Sequence, residues 1–179
     1  MSNVKIFEPS SIVNKDNIEF GEYILIDDFV KVHAKSKITI GNYVHIGSYS
    51  SLVASGASIV MKDFSGLSYG VRIVTSSDDF KSDGFGNPTI AEEFRNVSSG
   101  NVTIEKFAIV GTNSVILPGV TVGEGSTVAA GSIVSRDLEP WGIYIGNRRV
   151  GDRPKEGVLS RYENFKATEH SLRIGNIFK

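Results

Sequence analysis

The sequence predicts an all-β chain wound into a parallel β-helix, and three observations carry that prediction. The first is an unbroken six-residue period of aliphatic side chains at Ile104, Val110, Ile116, Val122, Val128 and Val134. The second is a small residue or valine two places before the next aliphatic: Ala108, Ser114, Val120, Ser126 and Ser132. The third is the same period earlier in the chain, at Phe20, Ile26 and Val32, at Ile40, Ile46 and Leu52, and at Met61, Leu67 and Ile73. A helix repeats near 3.6 residues and an ordinary strand at two, so neither explains this spacing. Hexapeptide repeats do. Each gives a short strand and a corner, and three complete a triangular coil. The aliphatic points into the prism and stacks on its counterpart in the next coil, about 4.8 Å away. The small residue fits where inward side chains crowd a corner, and Gly, Asn and Asp supply the turns.

The elements follow in order. Residues 1–17 are polar and irregular, with Pro9, and are expected to cap the open end of the coil stack. Residues 18–140 form the β-helix. Its period slips by two residues before Ile40 and again at Ser55 to Ser58, so extra residues are expected to bulge at corners. Triplets starting at 20, 40, 61, 104 and 122 give five coils. Residues 75–101 interrupt the repeat with a polar excursion loop that carries Phe80, Phe85, Ile90 and Phe94 as apolar anchors. Long loops in compact folds are commonly functional; a contact arm without chemistry is the alternative. Residues 141–179 form a C-terminal extension. Ile143 to Asn147 suit one last strand, and Leu159, Tyr162 and Phe165 suit a short helix packing back on the coils, followed by a tail from Ile174.

Composition excludes several classes. The chain has 179 residues, about one domain. Its 19 basic and 20 acidic residues give no bulk attraction to nucleic acid or membrane, and no basic-aromatic stripe argues for nucleic acid. With no cysteine there is no disulfide, thiolate metal site or Cys nucleophile. No apolar leader and no long apolar run occur, so a cytoplasmic protein without a membrane span is expected.

The outward residues carry the functional signal. By alternation Ile109, Val115, Leu117 and Ile133 point away from the prism, and an exposed apolar strip marks self-association. His45 precedes inward Ile46, so its ring points outward. Gly66, in the same column one coil on, leaves a gap beside it. That makes His45 a candidate general base; an ordinary histidine at a subunit contact is the alternative. His33 and His170 read as structural or solvent-facing. The three histidines fall in unmatched columns, so no metal site is expected and a zinc hydratase of the γ-carbonic anhydrase kind is disfavoured. A non-enzymatic scaffold would want a regular outward array, whereas Gly66, Ile109 and Thr127 are irregular.

The repeats, the single long loop and the ending EPWGIYIGNRRVGDRPK together resemble the left-handed β-helix acyltransferases over roughly residues 18–155. The TSSDDF of the loop followed by NPT looks closest to N-acetyltransferases of nucleotide-linked amino sugars, of the perosamine and viosamine type. The resemblance implies a left-handed coil and acetyl-CoA as co-substrate in a groove between prisms. It also implies a homotrimer with intersubunit active sites, and a nucleotide-linked amino-deoxy sugar destined for O-antigen-type polysaccharide. Carried over by position, backbone groups at Gly111, Ala129 and Gly131 meet the pantetheine, although each glycine also suits a corner. Asn147, Arg148, Arg153 and Lys155, with Arg149 among them, meet the nucleotide phosphates. Relatives carry a Pro-Ala pair where Arg148 and Arg149 stand here.

The related O-acetyltransferases place a histidine base in the loop, at the slot that Asp78 occupies, with Asp79 beside it. A sugar hydroxyl leans on a base, whereas an amine with a pKa near that of an α-amino group, about 8, is partly neutral at pH 7. A carboxylate at Asp78 or Asp79 can grip and orient the ammonium form. The expected function is therefore N-acetylation, with Asp78 or Asp79 on the amine and His45 as base. The alternative is O-acetylation of the maltose and galactoside type, with all base work on His45.

Overall fold

A computed structural model describes residues 3–78 and 83–178. Three sheets stack short strands in parallel and form the faces of a prism, as the repeat predicts, wound as the left-handed coil that the resemblance implies. The first face runs from Val4–Ile6 through Ile24–Ile26, His45–Ile46, Gly66–Leu67, Ile109–Val110 and Thr127–Val128 to Gly142–Ile145. The second runs from Ser11–Val13 through Lys31–Ala34, Ser51–Ala54, Arg72–Val74 and Val115–Ile116 to Ile133–Val134. The third stacks Ile18–Phe20, Ile38–Ile40, Ile59–Met61, Val102–Ile104 and Thr121–Val122.

The six-residue aliphatics are the core. Ile26, Val32, Ile46, Leu52, Ile73, Ile104, Ile116, Val122 and Val134 show no exposed surface at all. Each sits on the same aliphatic position one coil away, as in the pairings Ile26 with Ile46 and Ile73 with Ile116. Outward apolar residues also stand where alternation puts them: Ile133 is 62% exposed and Ile109 39%.

Three expectations differ from the structure. Within the expected N-terminal cap, Val4–Ile6 and Ser11–Val13 are regular rungs rather than irregular chain, in register with Ile24–Ile26 and Lys31–His33. The coil count of five is likewise too low, because rungs extend beyond Phe20 and Val134 at both ends and the first face stacks seven parallel rungs among the described residues. The polar composition of these rungs hid them, since terminal coils have one neighbour rather than two and can leave more of themselves to water. The slips in the period do not simply bulge either. The second-face strands lengthen, and Ala34 and Ala54 become an extra buried pair, small enough for the corner.

The corner between the third and first faces holds a surprise. Gly, Asn and Asp were expected at corners, yet Tyr23, Tyr43, Phe64, Phe107 and Trp141 all take positive φ there, between 57° and 62°. A left-handed backbone costs a residue with a Cβ about 1–2 kcal/mol. The rings recover a similar amount by stacking, at about 0.5–1.5 kcal/mol per pair. Centroid separations are 4.9 Å for Tyr23–Tyr43, 5.0 Å for Tyr43–Phe64 and 5.5 Å for Phe64–Phe107, close to the rise between coils. At the next level Gly125 interrupts the column, and Trp141 tips over it to lie 6.3 Å from Phe107.

The C-terminal extension closes over this column. Gly142–Ile145 adds a last parallel rung, and Arg148–Asp152 returns antiparallel to it. The helix Lys155–Ala167 then lays Tyr162 against Phe64 and Phe107, and Phe165 against Tyr43 and Phe64. Further on, His170 Nε2 meets the Tyr23 hydroxyl at 2.7 Å, and Phe178 packs edge-on against Tyr23. The segment is thus a strap running from the last coil back to the first.

The excursion leaves at buried Thr75 and returns at Gly100, whose amide donates to the Thr75 carbonyl at 2.9 Å. Inside it Ser76–Asp78 pairs antiparallel with Val97–Ser99. Phe85 and Phe94 meet each other at 6.2 Å but stay exposed on this chain, and Phe80 lies outside the described residues.

Candidate active site

His45 stands on the first face, in the outward column Leu25, His45, Gly66, Ile109, Thr127. Its Nε2 lies 2.8 Å from Asp27 Oδ2, with the His45 side chain 48% exposed and that of Asp27 18%. The Asp27 backbone is pinned by its own amide, which donates to the Ile46 carbonyl at 3.0 Å.

Asp78 ends the first strand of the excursion hairpin. Arg95, from the returning side, donates from Nε and Nη2 to Asp78 Oδ1, both at 2.8 Å. Hydrogen bonding from this guanidinium holds the Asp78 carboxyl below the usual carboxylate range, against an opposing push from burial. Both bonds end on the same oxygen. Asp78 and Arg95 line two hollows, of about 330 and 760 Å³, with Ser77 also common to both. The larger lies between the hairpin and the prism body, whose wall there includes His33, Lys35, Val53 and Ser55. Asp79 lies outside the described residues. Within one chain His45 lines neither hollow, so the fold does not bring it to Asp78.

Gly111, Ala129 and Gly131 share the corner between the first and second faces. Their amides are already taken up: Gly111 donates to Val128, Ala129 to Tyr144 and Gly131 to Thr112, each at 2.8 Å. A Cβ at Gly111 would fall 2.6 Å from the Ala130 nitrogen, so coil packing alone requires glycine there. Around Gly131 that space is open.

The cationic ending divides in two. The Arg153 Nη1 donates to the Phe107 and Gly125 carbonyls at 2.6 and 3.0 Å, under partial burial. Asn147 clamps Ser135, accepting from its amide at 2.9 Å and donating to its hydroxyl at 2.8 Å. These ties give both side chains a structural role in the last turn, beside the phosphate contact that the resemblance implies for them. Arg149 pairs with Asp152, whereas Arg148 is exposed and Lys155 lies over the Trp141 ring at 5.7 Å. Arg153→Ala is therefore expected to lower stability by about 1–3 kcal/mol, from two orphaned carbonyls. Arg148→Ala combined with Lys155→Ala should leave stability within about 0.5 kcal/mol and raise KM for the acyl donor. Denaturant titration and steady-state kinetics on both variants check this.

A family model described as bacterial transferase hexapeptide, six repeats, matches residues 101–136. A dTDP-4-amino-4,6-dideoxy-D-glucose acyltransferase of Escherichia coli is 35% identical over 157 residues, covering 86% of this chain and 81% of that protein. The chain belongs to the hexapeptide-repeat acyltransferases. Its fold is similar to that of AntD, an N-acyltransferase from Bacillus cereus, at 36% identity and a TM-score of 0.86, over 92% of this chain and 88% of AntD. That structure holds dTDP and 3-hydroxybutyryl-CoA; one of a variant holds dTDP-4-amino-4,6-dideoxyglucose and coenzyme A. The acetyltransferase domain of PglB from Neisseria gonorrhoeae shares the fold alone, at 18% identity and a TM-score of 0.59, over 83% of this chain and 57% of that one.

Against this acyltransferase frame, two residues of interest escaped the sequence reading. Arg95 could not be found by period, since it meets Asp78 only through hairpin pairing in a segment without repeats. Asp27 could have been found: aligning Ile26 with Ile46 puts it one coil from His45 and on the same outward side. The histidines do not converge, with His33 on the second face and His170 bonded to Tyr23 in the strap. Among the described residues no group of three or more His, Cys, Asp or Glu converges on a common point. Nor is any described helix long and apolar enough to cross a membrane.

Proposed function

We propose that this acyltransferase moves the acetyl group of acetyl-CoA onto the amine of a nucleotide-linked amino-deoxy sugar, in the cytoplasm, for surface polysaccharide synthesis. The observation that carries the proposal is Asp78. Its carboxyl is kept ionised by Arg95, on one oxygen, at the mouth of hollows large enough for a sugar. An acceptor-only group of this kind suits an ammonium, which needs holding, better than a hydroxyl, which needs a base of higher pKa.

The chemistry requires no covalent enzyme intermediate. The ammonium held at Asp78 first releases one proton to solvent; the neutral amine then attacks the thioester carbonyl, the C–N bond forms, and the C–S bond breaks. The nitrogen loses a proton, which His45 takes and the departing thiolate receives, giving an amide and free coenzyme A. The donor is proposed to lie along the corner at Gly111, Ala129 and Gly131, with Arg148 and Lys155 near its phosphates. The enzyme works as a homotrimer in which His45 of one prism meets Asp78 of the next. Exposed Ile109 and Ile133, and the open faces of Phe85 and Phe94, support burial between copies.

Thiol release tests the reading directly. TDP-, GDP- and UDP-linked amino sugars are offered beside simple galactosides, with acetyl-CoA and 3-hydroxybutyryl-CoA as donors. Turnover confined to an amino sugar with acetyl-CoA is the expected result. Turnover on hydroxyl sugars alone would sink it.

A further inference from the structure

The His45 imidazole is not a free surface ring, and the strand beside it lacks a side chain for no structural reason. Asp27 is the more buried partner of the pair and its backbone is fixed by the Ile46 carbonyl. A carboxylate only accepts, so the nitrogen facing it, Nε2, must carry the hydrogen. In the neutral ring the lone pair is then on Nδ1. Next door, Gly66 sits directly in register with His45. It has no positive φ, and a Cβ built there would meet nothing closer than the His45 carbonyl at 3.9 Å. Most other glycines of the prism are explained by crowding or by a left-handed turn; Gly41 and Gly111, for instance, would clash at 2.5 and 2.6 Å. A glycine inside a strand forgoes packing and costs backbone entropy, and it commonly marks a place where another molecule comes close.

We propose that Asp27 is a positioning residue that fixes His45 in the Nε2–H tautomer, and that the gap at Gly66 is where the reacting thioester meets Nδ1. The inference rests on the reading of His45 as the base. Asp27 touches no substrate. It decides which nitrogen receives the proton lost by the amine before that proton goes to the sulfur. Gly66 keeps the imidazole open from the side of the fourth coil, toward the corner where the donor is proposed to run.

Three variants and one spectrum test this on the whole chain. Imidazole ¹⁵N–¹H correlation spectra of the wild type should show a protonated Nε2 and a bare Nδ1 at His45; a protonated Nδ1 overturns the proposal whatever the activity. Asp27→Asn should mix the tautomers and lower kcat about tenfold or more with both KM values unchanged, and an unchanged kcat overturns it. Gly66→Ala should fold at least as stably as the wild type yet lose about tenfold or more in kcat/KM for the acyl donor. Full activity there removes the gap from the mechanism. His45→Gln separates the layers: if it retains full activity, the reading of His45 as base has failed. If it loses about a hundredfold while Asp27→Asn does not, only the present inference has.

Discussion

Asp78→Ala is expected to lose on the order of a hundredfold in kcat/KM toward the amino sugar, through the removal of a charge-assisted contact to the ammonium. Arg95→Ala should fall in the same direction by a smaller factor, because the carboxylate remains but nothing holds it in place. The two together should cost little more than Asp78→Ala alone, as residues in one ion pair are not additive. pH gives a second handle. Arg95 lowers the Asp78 pKa, so the folded hairpin binds fewer protons than the unfolded chain in the acid range. The pair's contribution is full above the ordinary aspartate value, about 3.9, and is lost only as pH falls below it, through the depressed value. Wild-type amides at 76–78 and 97–99 should therefore keep their hydrogen-exchange protection at pH 4–5. In Arg95→Ala that protection should weaken at every pH, with no acid step of its own. An acid step above pH 5 in the wild type would contradict the assignment.

The largest stability effect is expected at Gly125, far from either hollow. A Cβ there would enter the Trp141 ring, 2.4 Å from Cε3 and 2.6 Å from two further ring carbons, at a φ of +67°. Overpacking costs about 1–3 kcal/mol and the left-handed backbone about 1–2 kcal/mol more. Gly125→Ala should thus destabilise by about 2–5 kcal/mol and unlock the indole, seen as a shift in tryptophan fluorescence. Gly131→Ala supplies the control: its φ is +70° but its surroundings are open, so only the backbone cost of about 1–2 kcal/mol applies. Equal losses at the two sites would mean that the indole yields readily and that the aromatic column is softer than its stacking suggests.

The contrast between these sites shows what was readable in the chain. The prism was legible because its core has one rule, an aliphatic every sixth residue, and stacking enforces the rule at every coil. Ile26, Ile46 and Leu67 could be placed in one column before any coordinates. The N-terminal rungs were not legible, because a terminal coil obeys the rule weakly. The aromatic corner was not legible either. Tyr23, Tyr43, Phe64 and Phe107 violate the local preference for Gly or Asn at positive φ, and only the ring one coil below repays the violation. That partner lies 20 or 21 residues away in sequence, and 43 from Phe64 to Phe107, outside any local window. The site divides in the same manner. His45 and the gap at Gly66 fell out of periodicity, whereas the Asp78–Arg95 pair depends on a hairpin with no repeat. That Arg153 and Asn147 also tie Phe107, Gly125 and Ser135 was not readable, because those partners meet them only once the chain turns back.

The neck of the excursion has a further consequence. Thr75 and Gly100 stand one hydrogen bond apart, and Val102–Ile104 resumes its pairing with Ile59–Met61 as though nothing had intervened. The scaffold therefore cannot sense how long the intervening segment is or what it contains, beyond the slowly growing entropy of closing it. The excursion behaves as a cassette clipped into a frame that is complete without it. On the proposed assignment of acceptor to excursion and donor to corner, the residues between Thr75 and Gly100 could be exchanged at that clip while the coils keep their shape.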